Sequence, residues 1–227
     1  MMKKYTTIYF DLDNTLLDFY ASEKKAIKQT LSYFCLPDDD ETALLYSKIN
    51  KSFWERYERG EIQREEIFAG RFRVLLETLH RDGDPEAMRH KYFGFLAAGH
   101  DKVEGADEIL GYLKGLGYKI YATSNGVALT QYRRIEDSGL DIYFDGVFVS
   151  ETVGCQKPER AYFDFVLNNT DEKDRSKIIV IGDSQSSDIL GGINAGLDTC
   201  WYRHKGDVQK YQSTYTVDSL EEIKNIL

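Results

Sequence analysis

Three short runs of β-branched and aromatic residues each end abruptly in a cluster of polar residues. Residues 5–10 (YTTIYF) lead into DLDNT, residues 118–123 (YKIYAT) lead into SNG, and residues 178–181 (IIVI) lead into GDS. Such runs are typical of buried strands. Because ligands of α/β folds bind outside the carboxyl ends of parallel strands, the pattern predicts that the three polar clusters lie together at one edge of a sheet.

The second half of the chain alternates between strand and helix patterns. Further short apolar runs occupy residues 146–149, 199–202 and 215–217. The helical patterns of this half cover residues 106–116, 129–138, 158–168, 187–195 and 219–227. This alternation predicts parallel βαβ units with helices on both faces. The expected fold class is α/β, with a Rossmann-like, doubly wound parallel sheet as the core.

Residues 17–99 carry almost no strand signal. Their helical segments cover residues 22–34, 41–59, 64–80 and 86–97. A helical block placed after the first strand of an α/β sheet predicts an inserted, all-helical cap domain over the strand ends. The predicted domains are therefore a catalytic core of residues 1–16 and 100–227 and a cap of residues 17–99.

Charge and cysteine content exclude several classes of partner. The formal net charge of −9 argues against polymeric nucleic acid and against an anionic membrane surface. Cys35, Cys155 and Cys200 lie far apart and form no CxxC or Cys/His cluster, which argues against a disulfide framework or a zinc site. The apolar run near the start is too short for a signal peptide or a membrane helix. We expect a reduced, cytoplasmic protein of undetermined oligomeric state.

Asp11 and Asp13 are two like charges at the end of a predicted buried strand. A carboxylate in an apolar setting is costly unless a cation compensates it. An aspartate in such a place can attack phosphorus as a nucleophile, but aspartates also commonly fix the turn after a strand. The pair alone leaves both interpretations open.

Four motifs, in this order, resemble those of the haloacid dehalogenase superfamily. They are DLDNT at residues 11–15, Ser124 before Asn125, Lys157 in QKPERAYF, and GDSQSSD with Asp183 and Asp188. Their spacing resembles the branch that carries a helical C1-type cap between the first two motifs. The stretches YATSNG and SDILGGINAGLDTCWY further resemble the pyrimidine 5′-nucleotidase branch of that superfamily.

The resemblance implies a magnesium-dependent phosphomonoester hydrolase that works through an aspartyl-phosphate intermediate. In such an enzyme Asp11 is the nucleophile, and Asp13 is the general acid and base. Asp11, Asp183 and the main-chain carbonyl of Asp13 are then the expected ligands of Mg²⁺.

Three further residues are expected around the phosphate. Ser124, Asn125 and Lys157 are the predicted phosphate-binding residues, and Lys157 would also offset the negative charge of Asp11. From the residues alone, an ordinary loop and a solvated surface lysine are the alternatives. Lys157 precedes Pro158, which suits the first turn of a helix.

Asp188 is expected outside the set of direct metal ligands. The resemblance implies that it holds metal-bound waters or orients Lys157. Capping of a helix that begins near Ser187 is the alternative, and it is compatible with both of those roles.

The catalytic motifs do not specify the leaving group. A small phosphate ester is the expected partner, and the resemblance favours a (deoxy)pyrimidine nucleoside monophosphate. Sugar-phosphate phosphatases and phosphomutases share the same motifs. A halide-releasing dehalogenase is disfavoured because that branch lacks the acid/base aspartate at the position of Asp13. A catalytically silent binding module is disfavoured because Asp11, Lys157 and Asp183 are all present.

The aromatic and histidine side chains give a weaker signal. Trp54, Tyr57, Phe68 and Phe72 could stack on a nucleobase, but their helical spacing favours core packing. The four histidines form no ligand spacing, and no chemistry is assigned to them.

Overall fold

The computed structural model describes residues 4–227, which divide into two compact units. The sheet unit comprises residues 4–18 and Lys102–Leu227, and the helical unit is Phe19–Asp101. Residues 1–3 are part of the predicted core segment and of the first stretch of the chain, for which no signal peptide is predicted. They lie outside the described residues.

The sheet unit is built on six parallel strands. They are β1 (Thr7–Asp11), β2 (Lys119–Ser124), β3 (Gly146–Val149), β4 (Ile178–Gly182), β5 (Asp198–Tyr202) and β6 (Tyr215–Val217). The order across the sheet is β3-β2-β1-β4-β5-β6, so the chain runs outward from β1 to β3 and returns on the other side of β1. This reversal is the switch point at which doubly wound sheets bind ligands. The predicted α/β fold is confirmed.

Strands β1 and β4 are buried along their whole length. Ile8 and Phe10 contribute to one hydrophobic cluster, whereas Tyr9 between them contributes to another. Alternate side chains therefore enter packed cores on opposite faces of the sheet. Burial on both faces explains why these strands are continuous apolar runs in the sequence rather than alternating ones.

The helical unit contains four α-helices. They are α1 (Phe19–Tyr33), α2 (Asp40–Glu58), α3 (Arg64–Leu79) and α4 (Pro85–Ala97). Asp39 caps α2 by accepting a hydrogen bond from the Thr42 amide at 2.8 Å. Asp84 caps α4 through the Glu86 amide at 2.9 Å, with Pro85 in the first turn. Local capping chemistry thus sets where these helices begin.

Aromatic side chains form much of the interior of the helical unit. Phe72 is fully buried, and Trp54, Tyr57 and Phe68 pack against the same hydrophobic cluster. Their positions agree with the core packing that helical spacing favours.

The five predicted helices of the sheet unit are present with three differences, and one further short helix, Ser150–Val153, has no predicted counterpart. The α-helices of this unit are α5 (Ala106–Gly115), α6 (Ala128–Ser138), α7 (Ser150–Val153), α8 (Arg160–Asn168) and α9 (Leu190–Asn194). The predicted helix 219–227 is a short 3₁₀ helix, Leu220–Asn225, and the predicted helix 187–195 is divided into a π-helical turn, Gln185–Ile189, and α9. Among the described residues, no helix combines the length and the apolar character needed to cross a bilayer.

The third difference concerns Pro158, which lies in a loop before α8 rather than in its first turn. The Lys157–Pro158 peptide bond is cis. The Asn125 side chain donates to the Lys157 carbonyl at 2.8 Å, and the Asn194 side chain donates to the Pro158 carbonyl at 3.0 Å. Both carbonyls accept side-chain donors in this loop, and α8 begins at Arg160.

Candidate active site

The carboxyl ends of β1, β2 and β4 bring the predicted motifs to one edge of the sheet. Asp11 is the last residue of β1 and pairs in register with Thr123 of β2, while Asp183 directly follows β4. Carboxylate oxygens of Asp11, Asp183 and Asp188 all lie within 4.8 Å of one another. The structure therefore places three of the predicted aspartates in a single cluster.

Lys157 is buried inside this cluster. Its Nζ donates to Asp11 Oδ1 at 2.6 Å, to Asp188 Oδ1 at 2.7 Å and to the Thr123 carbonyl at 3.0 Å. An ammonium group has three N–H donors, so all of them bind the protein here. Lys157 is thus fixed as a cation against Asp11, and the surface-lysine alternative does not match its position.

Asn125 holds the backbone of Lys157. Its side-chain amide donates to the Lys157 carbonyl at 2.8 Å and accepts from the Lys157 N–H at 3.0 Å. This reciprocal pair ties the loop after β2 to the loop before α8. The phosphate-binding role of Asn125 stays a prediction, since the described contacts of its side chain are to Lys157.

Asp188 is fully buried and accepts from two directions. Its Oδ1 binds Lys157, and its Oδ2 accepts from the Ser184 amide at 3.1 Å. A Cβ at Gly182 would lie 2.2 Å from Asp188 Oδ2, so this carboxylate fits only against a glycine. The Ser184 hydroxyl, which accepts from the Ser187 amide at 3.2 Å, caps the following turn. The geometry agrees with Asp188 orienting Lys157 rather than with Asp188 as the cap.

Thr15 joins the first and last motifs. Its hydroxyl donates to Asp11 Oδ2 at 3.2 Å and accepts from the Asp183 amide at 3.1 Å. The indole of Trp201 donates to the Asp183 carbonyl at 2.8 Å. The backbone of Asp183 is therefore held on both sides, while its carboxylate accepts no hydrogen bond within the described part of the chain.

His204 is a neighbour of the cluster that sequence spacing did not reveal. Its Nε2 lies 2.8 Å from the Asn14 carbonyl and 4.0 Å from Asp183 Oδ2. The ring also packs edge-on against Tyr202 at the end of β5. Only the strand order of the folded sheet brings position 204 beside the loop after β1.

Burial and like charge raise the proton affinity of the clustered acids. Burial, with added repulsion from Asp188, raises the pKa of Asp11 to about 7, and Lys157 offsets only part of this rise. Burial and the charges of Asp11 and Asp188 raise the pKa of Asp183 well above its usual range. Burial lowers the pKa of Lys157, but the two neighbouring carboxylates outweigh it and raise that pKa overall.

The charges of the cluster fit a divalent cation. Three carboxylates and the single cation Lys157 leave two negative charges when all four groups are ionised. Oxygen ligands of this kind are those that Mg²⁺ prefers. The donor set therefore matches the predicted ion in both charge and chemistry.

Asp13 lies beside this cluster but turns its side chain toward α6. Its Oδ2 accepts from Gln131 Nε2 at 2.8 Å, and its Oδ1 accepts from Arg134 Nη1. Gln131 Nε2 also donates to Ser124 Oγ at 2.8 Å. Sequence reasoning missed Gln131 and Arg134; the one available signal was two polar residues at helical spacing in the helix pattern that follows SNG.

Comparison with known proteins decides the family. The family model described as hydrolase, haloacid dehalogenase-like hydrolase, matches residues 5–196. The chain belongs to this family. The predicted superfamily is thereby confirmed.

Three relatives align over nearly the whole chain. YfnB of Bacillus subtilis is 37% identical, with 100% of this chain and 97% of the relative covered. The crystal structure of YfnB bound to magnesium has a TM-score of 0.93, with 99% of each chain covered.

The other two are named for an activity. The pyrimidine 5′-nucleotidase PynA of Streptococcus pneumoniae is 34% identical, with 98% of this chain and 97% of the relative covered. The pyrimidine 5′-nucleotidase YjjG of Escherichia coli is 33% identical, with 99% of this chain and 98% of the relative covered. The predicted resemblance to this branch of the family is confirmed.

Proposed function

We propose that this hydrolase is a Mg²⁺-dependent phosphatase that cleaves (deoxy)pyrimidine nucleoside 5′-monophosphates through a phosphorylated Asp11. The observation that carries the proposal is the buried arrangement in which Lys157 joins Asp11 to Asp188, beside the carboxylate of Asp183. This arrangement places a nucleophilic carboxylate between the cation Lys157, which offsets part of its negative charge, and a site for a divalent cation.

Asp11 attacks phosphorus in the first step. A bond forms between its carboxylate oxygen and phosphorus while the bond from phosphorus to the ester oxygen breaks. Asp13 gives a proton to the departing ester oxygen, and the nucleoside leaves as an alcohol. The Ser124 hydroxyl donates a hydrogen bond to a phosphate oxygen, and Lys157 offsets the negative charge on Asp11.

Water releases the phosphate in the second step. Asp13, now ionised, takes a proton from the attacking water, and the bond between phosphorus and Asp11 breaks. Inorganic phosphate leaves, and Asp11 returns as a carboxylate. Asp11, Asp183 and the main-chain carbonyl of Asp13 would hold Mg²⁺, which would supply positive charge for the phosphate oxygens.

The helical unit is proposed to act as the cap. All the side chains named in these two steps belong to the sheet unit and are assigned to the phosphate, the ester oxygen and the attacking water, which leaves the contacts to the nucleoside to be assigned. A cap of residues 17–99, inserted directly after the loop that carries Asp13, is the proposed source of these contacts.

Cys35, Cys155 and Cys200 are all free thiols, which supports a reduced, cytoplasmic setting.

The pyrimidine preference is tested with a panel of phosphate esters in the presence of Mg²⁺. We expect kcat/KM for UMP, dUMP and dTMP to exceed that for purine nucleotides and sugar phosphates by roughly tenfold or more, because a methylene-sized difference in a pocket alone gives discrimination of that order. Phosphate release is measured for each ester under identical conditions. Equal release from every ester would contradict the nucleotidase assignment while leaving the phosphatase assignment in place.

Magnesium binding should depend on pH because Mg²⁺ and a proton compete for Asp11. Its pKa of about 7 in the metal-free protein means that the protonated form dominates below that pH. The apparent Kd for Mg²⁺ should therefore rise about tenfold for each pH unit below about 7, for each proton displaced. Calorimetric titration in two buffers of different ionisation enthalpy measures both the affinity and the number of protons released.

A matched variant controls for the acidic surface. The Asp171 side chain is 80% exposed in the same unit, so Asp171→Asn should leave the magnesium titration unchanged. Asp183→Asn should weaken binding across the whole pH range. An affinity independent of pH, with no proton release, would contradict the site.

A further inference from the structure

Helix α6 presents two buried polar side chains to the site. Gln131 and Arg134 are 2% and 0% exposed, and they lie one turn apart on one face of the helix. Arg134 Nη1 donates to Gln131 Oε1 at 3.1 Å, so the two side chains act as a connected pair. A buried guanidinium is costly unless it is paired, which makes its partner informative.

The partner is the carboxylate of Asp13. Arg134 Nη1 binds Asp13 Oδ1, and Gln131 Nε2 donates to Asp13 Oδ2 at 2.8 Å. Each carboxylate oxygen therefore receives a donor from a different side chain of α6. Reversing the Gln131 amide would place its oxygen against this carboxylate, so the contact also sets the orientation of the amide.

Gln131 extends the same network to the predicted phosphate-binding hydroxyl. Its Nε2 has two N–H donors, and the second binds Ser124 Oγ at 2.8 Å. The Gly126 amide also donates to Ser124 Oγ, at 3.0 Å. A hydroxyl accepts through two lone pairs, and both are occupied here. The O–H of Ser124 is therefore left as a donor.

We infer that Gln131 and Arg134 are positioning residues for phosphoryl transfer. Arg134 fixes the position of the Asp13 carboxyl group, which must give and take the proton in the proposed reaction, beside the reacting cluster. Gln131 shares that task and turns the Ser124 hydroxyl into an obligate donor toward a phosphate oxygen. The inference rests on the proposed function, since it assigns partners to the acid/base residue of that reaction.

Two esters with different leaving groups distinguish a misplaced general acid from a general loss of catalytic activity. The 5′-oxygen of a nucleoside leaves as a strongly basic alkoxide unless it is protonated, whereas p-nitrophenolate leaves as a stable anion without a proton. The ratio kcat/KM covers only the steps through departure of the leaving group. Loss of a well-placed acid therefore lowers kcat/KM for UMP far more than for p-nitrophenyl phosphate.

Arg134→Met is expected to lower kcat/KM for UMP by about 10²-fold and that for p-nitrophenyl phosphate by less than about tenfold. In an Asp13→Asn background, adding Arg134→Met should lower kcat/KM for UMP only slightly further, because the two residues act on one proton transfer. Gln131→Met should lower kcat/KM for both esters, because the Ser124 hydroxyl contacts the phosphate that they share. If Arg134→Met does not fold, Arg134→Lys, which keeps the charge, is used instead to compare kcat/KM for UMP with that for p-nitrophenyl phosphate.

Arg133→Met is the matched control. Arg133 is the neighbouring arginine on the same helix, but its side chain is 55% exposed and pairs with Asp137, so both esters should be cleaved as by wild type. If Asp13→Asn distinguishes the two esters and the Arg134 variants do not, the inference is overturned and the proposed function stands. If Asp13→Asn lowers both equally, the acid/base role of Asp13 and the inference fail together.

Discussion

Asp11→Asn is expected to abolish phosphate release, with a loss of at least about 10⁴-fold in kcat, because the amide cannot form the phosphorylated intermediate. The replacement is nearly isosteric, and its amide oxygen can still accept the hydrogen bond from Lys157 that lies at 2.6 Å in the wild type. Substrate binding should therefore be retained in large part. The measurements are phosphate release from UMP and the mass of protein quenched in acid during turnover.

The fold should survive this substitution. In the metal-free protein the pKa of Asp11 is raised to about 7, so the folded chain holds a proton that the unfolded chain has already released. Wild-type stability consequently falls as pH rises from about 4 to about 7, and a neutral amide side chain at this position removes that contribution. The melting temperature of the metal-free variant near pH 8 should equal or exceed that of the wild type.

Asp13→Asn provides the contrast. It keeps the nucleophile but loses the acid and base, so with p-nitrophenyl phosphate it should accumulate phosphorylated protein that acid quenching traps. The Asp11→Asn variant should show no added phosphoryl mass with any ester. Turnover by Asp11→Asn at even a hundredth of the wild-type rate would exclude the covalent mechanism.

The central features of the site could be predicted because they are local in sequence. Asp11 and Asp183 each stand directly after an apolar run, and a parallel sheet necessarily collects such positions at one edge. Lys157 and Asp188 follow from motifs of recognisable spacing. The strand bounds were within two residues of those observed, since strands buried on both faces leave continuous apolar runs.

Partners that are distant in sequence could not be predicted in the same way. Arg134 and Asp13 are 121 residues apart, and on a helix pattern a buried arginine cannot be distinguished from a solvated one. Arg133 and Arg134 are adjacent and identical in type, yet one is exposed and the other is buried. The reciprocal bonds of Asn125 with Lys157 likewise depend on two loops meeting in the folded chain.

Lys157→Met is expected to destabilise the protein by about 3–5 kcal/mol near pH 8, besides removing activity, because it leaves buried carboxylates without their cation. The carboxylates of Asp11 and Asp188 both lose a hydrogen bond from Nζ. Methionine matches the lysine stem in length, so the effect is one of charge rather than of volume. Urea unfolding of the metal-free protein, followed at several pH values, measures the change.

The loss of stability caused by Lys157→Met should increase with pH. The pKa of Lys157 is raised in the folded state, so Lys157 itself stays charged between about pH 5 and pH 8, and the pH dependence in this range comes from the acid that it contacts. In the variant the pKa of Asp11 rises further because Lys157 no longer offsets part of its rise, and the folded chain must hold a proton that the unfolded chain releases above about pH 4. The variant should therefore be nearly as stable as wild type at about pH 5 and become less stable than wild type as the pH rises toward 8.

Magnesium separates the electrostatic role of Lys157 from its part in the reaction. Because a divalent cation also compensates the clustered carboxylates, saturating Mg²⁺ should restore a large part of the stability of Lys157→Met near pH 8 but not its turnover. The exposed Lys177 of the same unit offers the control, and Lys177→Met should match wild type in both respects. A deficit that is equal at every pH and unaffected by Mg²⁺ would mean that Lys157 contributes packing rather than charge.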